Sequence, residues 1–298
     1  MNTIDIQHLT KDYGQGKGVF DVTLAIQKGE VYGYLGPNGA GKSTTMRHLM
    51  GFSKPQSGTA CIENMDCWKE QKKIQERTGY LPGEIAFPDD MTGLTYLKLI
   101  ARMRHMKDFS YAETLFDFFE INPDTGMKRM SKGMKQKIGI VAAFMHDPAI
   151  LLLDEPTSGL DPLMQNRFIE LIEQEKSKGK TILLSSHMFD EVEKTCDRIG
   201  MIRNGKLIQE VTVDELRHSR FKTYKIEFSD AVSLALVKSK YPNAEYKEQQ
   251  HQIIVSISDD EINQLITVLS KCHVRFLKEE KHTLEEYFMK FYGGTEHD

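Results

Sequence analysis

Residues 36 to 44 read Gly-Pro-Asn-Gly-Ala-Gly-Lys-Ser-Thr, which puts three glycines, a lysine and two hydroxyls in one short run. The run satisfies G-x-x-x-x-G-K-[ST], a loop whose backbone N–H groups can converge on a phosphate. Gly36, Gly39 and Gly41 permit the curl, and Pro37, Asn38 and Ala40 complete it. Lys42 can reach β- and γ-phosphates, and Ser43 can place its hydroxyl on Mg²⁺. Thr44 opens the helix expected from about Ser43, whose positive end also favours an anion. A second chemical pair, Asp154-Glu155, closes the apolar run Ile150-Leu151-Leu152-Leu153. A carboxylate at a strand end beside a phosphate loop can hold Mg²⁺ directly or through water, which suits Asp154. Glu155, one residue on, can polarise an attacking water. Together these residues imply binding of a nucleoside triphosphate and transfer of its terminal phosphate to water.

The elements that must position them are legible around the motifs. Val31-Tyr32-Gly33-Tyr34-Leu35 is a β-branched and aromatic run before the loop, and residues 44–50 read as a helix after it. Residues 149–153 and 181–185 are unbroken apolar runs, the pattern of buried parallel strands. Before them, residues 92–145 carry helical spacing with no strand pattern, so a helical subdomain spanning about 84–148 is expected. Asn204-Gly205 between two β-rich runs predicts a hairpin with a type I′ turn. Beyond about Phe221 the texture changes. Tyr224, Ile226 and Phe228 alternate, as do Ile253, Val255 and Ile257, with helical segments near 232–237 and 262–269. Ser258-Asp259-Asp260-Glu261 and Thr283-Leu284-Glu285-Glu286 both fit the capping box that starts helices. The expected fold is therefore α/β: a P-loop nucleotide-binding core with an inserted helical subdomain (1–218), followed by a small C-terminal α+β domain (219–298).

A length of 298 residues accommodates one large and one small core. The formal charge of −4 gives no basic excess of the kind a nucleic-acid surface requires. Cys61, Cys67, Cys196 and Cys272 lack C-x-x-C spacing, so buried free thiols are expected. The start, Met1-Asn2-Thr3-Ile4-Asp5, is too polar and acidic for a signal peptide. The longest apolar runs fall far short of the ~18 residues of a membrane span.

Within this frame Met130-Ser131-Lys132-Gly133-Met134, followed by Lys135-Gln136-Lys137, resembles the signature of ABC transporter ATP-binding subunits, usually Leu-Ser-Gly-Gly-Gln. Ser131 and Gly133 are retained. Ser158-Gly159-Leu160-Asp161 is similar to the family's D-loop, and His187 after residues 181–186 to its switch histidine. Tyr13 in Lys11-Asp12-Tyr13-Gly14 resembles the aromatic that stacks on adenine. One element departs from the pattern. After Gly79-Tyr80-Leu81-Pro82 the family carries a glutamine that touches Mg²⁺ and water, and here Gly83 stands in its place with Glu84 next. Either Glu84 substitutes or the contact is absent.

The resemblance implies a Mg²⁺-dependent ATPase. ATP would be held by Tyr13, residues 36–44, Ser131 and Gly133, and Mg²⁺ by Ser43 and Asp154, with Glu155, His187 and Lys42 catalytic. It further implies a dimer, here a homodimer, in which Ser131 and Gly133 complete the ATP site of the opposite chain. The Ser-Lys-Gly-Met-Lys-Gln signature and the C-terminal extension look like the exporter branch, whose transmembrane subunits are separate polypeptides. The expected location is cytoplasmic, at the inner face of the cell membrane. Ile85-Ala86-Phe87-Pro88 offers apolar residues for docking, or a buried linker. The alternative is a soluble ABC ATPase acting on nucleic acid or ribosomes. Such proteins usually carry two cassettes or long coiled coils, and this chain shows one cassette, no heptads and no basic stripe. A kinase-like phosphoryl transferase leaves residues 130–134 without a role.

Overall fold

A computed structural model describes residues 2–217, 221–242 and 244–280. The chain separates into two compact units, Met1–Val213 and Asp214–Asp298. The expected boundary at 218/219 falls on residues outside those described.

In the first unit the apolar runs become a six-stranded sheet. Its order is Lys206–Thr212, Arg198–Arg203, Val31–Leu35, Thr181–Ser186, Ile150–Asp154 and Thr78–Leu81. Every residue of Val31–Leu35, Ile150–Asp154 and Thr181–Ser186 is buried, as unbroken apolar strands covered on both faces must be. All pairings are parallel except the first, the hairpin edge Arg198–Arg203 with Lys206–Thr212. Asn204 and Gly205 turn that hairpin with φ of 49° and 74°, the two left-handed residues a type I′ turn requires. Register decides where the chemistry emerges. Leu35 lies opposite Ser186 and Asp154 opposite Ser185, so Gly36, Glu155 and His187 all leave the sheet at one edge. That carboxyl-end edge is where open α/β sheets bind ligands.

A second, antiparallel sheet runs in the order Gly18–Gln27, Asn2–Asp12, Ser57–Ile62, Met65–Asp66. It was not expected from the sequence. Its first pair is irregular between Ile6 and Leu9, and His8 and Asp21 take positive φ, so strict alternation is lost. Ile4, Ile6, Leu24 and Ile26 of this sheet share one core with Tyr32, Tyr34, Leu152 and Leu183 of the other, and with Met46 and Leu49 of helix Lys42–Leu49. Between Leu81 and Ile150 the chain is helical: Gly93–Met103, Ser110–Phe118, a short turn Met127–Arg129, and Lys132–Phe144. Among the described residues no helix is long and apolar enough to cross a membrane.

The second unit is α+β. Four antiparallel strands are ordered Glu245–Lys247, Gln252–Ser258, Phe221–Phe228, Val274–Glu280. Helices Ala231–Lys240 and Ile262–Leu269 bury Leu234, Val237, Leu265 and Leu269 with Ile226, Phe228, Ile253, Val255 and Ile257. The capping box at Ser258 and Glu261 is formed, while that at Thr283 lies outside the described residues. Cys67 and Cys196 are buried as expected. Cys61, in strand Ser57–Ile62, and Cys272, in the bend before strand Val274–Glu280, are only partly so, and all four are free.

Candidate functional site

The phosphate loop leaves Val31–Leu35 and is pinned to the neighbouring strand by Gly36 N–H donating to Ser186 O at 3.2 Å. Gly41 caps the following helix with φ 112°, a conformation a side chain would strain. The helix begins at Lys42, one residue before the expected start near Ser43. Lys42 is 5 % exposed, and its ammonium donates to Gly36 O at 2.6 Å and Pro37 O at 3.2 Å. Around this loop is a cleft of about 310 Å³. Residues 38–44 form one wall, and Tyr13, Lys17, Gly18 and Glu155 line the remainder. Tyr13 is 54 % exposed, its hydroxyl 3.2 Å from Ser53 Oγ and Lys11 Nζ 5.7 Å from its ring centroid. A half-exposed ring at the rim of a phosphate-sized cleft is placed to meet a flat base.

Glu155 stands at the centre of the polar network. Its Oε1 pairs with Lys42 Nζ at 3.0 Å, and its Oε2 meets His187 Nδ1 at 2.6 Å. The carboxylate thus bridges the phosphate-loop cation and an imidazole from the adjacent strand end. The residue has φ 50°, and its N–H donates to Ser185 O at 3.1 Å. Asp154 is buried, and its Oδ1 accepts from Ser185 Oγ. A Cβ at Gly83 would lie 3.1 Å from Asp154 Oδ2, so Gly83 occupies the flank of that carboxylate. The Asp154 carboxylate and Ser43 hydroxyl are hard oxygen donors suited to Mg²⁺, which takes only one or two protein ligands beside phosphates and water. The described residues accordingly hold no cluster of three or more His, Cys, Asp or Glu arranged for a metal.

Ser131 and Gly133 are not brought to this cleft. Ser131 caps helix Lys132–Phe144, its Oγ accepting from Met134 N–H at 3.2 Å. Gly133 packs on residues 155–161, where a Cβ would come 2.6 Å from Gly159 O, and Lys132 Nζ donates to Ser158 Oγ at 2.9 Å. The signature and the D-loop-like segment are therefore one surface. Ile85 and Phe87 are half-buried, Phe87 edge-on to Tyr96 at 4.9 Å, while Ala86 and Pro88 are exposed. The loop is thus partly packed against its own unit and partly open to solvent.

Three site residues escape sequence reasoning. Ser185 holds Asp154 and the Glu155 backbone, but reads as the end of an apolar strand. Gln136 Nε2 donates to Pro156 O at 2.8 Å and Glu155 O at 3.3 Å from a buried position. Its only sequence signal is a polar residue on the apolar face of its helix. Glu191 reads as an ordinary acidic residue in the first turn of helix Phe189–Thr195. It is buried instead, accepting from Ser186 Oγ at 2.5 Å, whose oxygen in turn accepts from Met188 N–H at 2.9 Å. Burial pushes its carboxyl up to about 7, outweighing hydrogen bonds from Ser186 and Thr157 that act the other way.

Strand, glycine loop, helix, and a carboxylate pair at the adjacent strand end define a P-loop nucleotide-binding core. Comparison with known proteins narrows the class. The ABC transporter family model matches residues 19–158. The chain is 33 % identical over 294 residues, 96 % of each protein, to the bacitracin transport ATP-binding protein BcrA of Bacillus licheniformis. It is 39 % identical to the ABC transporter ATP-binding protein NatA of Bacillus subtilis, across 68 % of this chain and 85 % of that one. Among solved structures, an ATP-binding subunit of an ABC transporter superposes with TM-score 0.66 and 30 % identity over 73 % of this chain and 92 % of its own. A dimeric bacterial ABC transporter cassette shares the fold, with TM-score 0.64 and 22 % identity over 70 % of this chain and 98 % of its own. The chain belongs to the ABC transporter family, among its ATP-binding proteins.

Proposed function

We propose that this chain is the Mg²⁺-dependent ATPase subunit of an exporter, working as a homodimer docked to separate transmembrane subunits at the inner face of the cell membrane. The observation that carries the chemistry is Glu155, held between Lys42 at 3.0 Å and His187 at 2.6 Å at the mouth of the phosphate cleft. Lys42 and the N–H groups of residues 38–44 bind and stabilise phosphate charge. Glu155 orients a water and takes its proton, and His187 holds the carboxylate and that water in line with the γ-phosphate. Tyr13 stacks on the base. Mg²⁺ would be held by Ser43 and Asp154, where it neutralises charge on the phosphates. Because Ser131 and Gly133 do not line the chain's own cleft, they serve a nucleotide held by a second copy. The BcrA relative, named for bacitracin transport and matched along nearly its full length, supports the transport reading. The exposed Ala86 and Pro88, beside the half-buried Ile85 and Phe87, form the docking loop.

Affinity purification of the tagged chain from native membranes tests the assembly. A polypeptide with several membrane spans is expected to co-purify. Recovery of ribosomal proteins or nucleic acid in its place would favour the soluble ATPase alternative.

The glycine beside Asp154 provides a test of the metal position. Gly83→Ala brings a Cβ to 3.1 Å of Oδ2, so the carboxylate must yield by a few tenths of an ångström. The Mg²⁺ concentration for half-maximal ATPase activity is expected to rise about tenfold, with metal-free ATP binding unchanged. A Mg²⁺ titration that superimposes on wild type would remove Asp154 from the metal site.

A further inference from the structure

We infer that Gln136 is a positioning residue for the Glu155 carboxylate, acting through the backbone on either side of the Glu155–Pro156 bond. The inference rests on the proposed role of Glu155 in activating water. Glu155 sits at φ 50°, a conformation that costs free energy for any L-residue other than glycine. Such a conformation persists only where the surroundings over-determine it. On the amino side the N–H donates to Ser185 O at 3.1 Å. On the carboxyl side the Glu155 carbonyl accepts from Ser158 N–H at 3.1 Å and Gln136 Nε2 at 3.3 Å, and the Pro156 carbonyl accepts from the same Nε2 at 2.8 Å.

One primary amide nitrogen carries two hydrogens, one for each carbonyl. Neither an aliphatic side chain nor an ionised carboxylate can replace it. Gln136 is 4 % exposed, so the carbonyls it serves have little access to water as a substitute donor. Without it the turn can relax from positive φ, and the carboxylate swings out of register with Lys42 and His187. Gln136 does not line the nucleotide cleft, whose wall is residues 38–44 with Tyr13 and Glu155. Its loss should therefore change turnover and leave nucleotide binding unaltered.

Steady-state ATPase kinetics on the full chain test this, using wild type, Gln136→Met, Gln136→Glu and Glu155→Gln. In Gln136→Met, similar in size but without a donor, kcat is expected to fall about tenfold with KM for ATP within about twofold. In Gln136→Glu the ionised side chain repels both carbonyls, but the protonated acid restores one donor. Burial raises the pKa of such a carboxyl, so its kcat relative to wild type should rise as pH falls from 8 towards 6. A purely structural role would lower the unfolding temperature without that pH-dependent ratio. Wild-type kcat in Gln136→Met, a KM rise that accounts for its loss, or a pH-independent ratio for Gln136→Glu would each overturn the inference. If Gln136→Met does not fold, the ratio for Gln136→Glu decides alone. Glu155→Gln separates the two levels: wild-type turnover there defeats the reading of Glu155 itself. Near-zero turnover there with wild-type behaviour in both Gln136 variants defeats only the present inference.

Discussion

Glu155→Gln is expected to lower ATP turnover at least about a hundredfold while ATP still binds. Glutamine keeps the volume of the side chain, which is 19 % exposed, so packing is preserved. What disappears is the negative charge that pairs with Lys42 and the base that takes a proton from water. The unhydrolysed γ-phosphate then remains between the phosphate loop of one chain and Ser131 of the other. Dimers should accumulate with Mg-ATP and not with ADP, as measured by light scattering. Adding Ser131→Arg places a long side chain where the hydroxyl must meet phosphate, and the dimers should be lost. Ser131 also caps its helix, so helical content must be followed in the double variant; loss of a cap costs about 1 kcal/mol, too little to unfold the unit. A Glu155→Gln protein that stays monomeric in saturating ATP would eliminate the homodimer, and equal dimerisation with Ser131→Arg would eliminate the assigned role of residues 130–134.

The second large effect belongs to Lys42→Ala. Among the described residues its ammonium bonds to the loop carbonyls of Gly36 and Pro37 and to Glu155, all polar partners outside the apolar core. Turnover is expected to fall at least about a hundredfold, the range for losing one preorganised charge stabiliser. Circular dichroism should match wild type, because Met46 and Leu49 continue to anchor the helix. Wild-type phosphate release from this variant would mean that hydrolysis happens elsewhere.

How much of this was legible in the residues depends on where each signal resides. Residues 36–44 and 154–155 announce chemistry through local spacing, and the parallel strands do so through unbroken apolar runs. The structure places all of them at one sheet edge. Ser131, Gly133 and His187 were singled out only by family resemblance, since a serine before a helix or a histidine after a strand says little by itself. The antiparallel sheet of Asn2–Asp12 was hidden by irregular pairing between Ile6 and Leu9 and positive φ at His8. Gln136, Ser185 and Glu191 were not legible. Each acts through contacts with residues remote in sequence or with backbone atoms, and nothing in a residue's type reveals which carbonyl it will meet.

Helix Lys132–Phe144 is touched at a second point that gives it a further consequence. At Gly139 a Cβ would lie 2.3 Å from Ile85 Cδ1, so the loop after Leu81 rests directly on the helix backbone. Gln136, three residues earlier on the same helix, is about 4.5 Å away along the axis. A membrane subunit bearing on the exposed Ala86 and Pro88 would thus push through Ile85 on a rod that, within the same turn, grips the peptide unit of Glu155. On the proposed docking, chemistry and cargo movement would share one link less than a helical turn long. Gearing of that kind would work both ways: load on the membrane side would retard phosphate cleavage just as cleavage would deliver force outward.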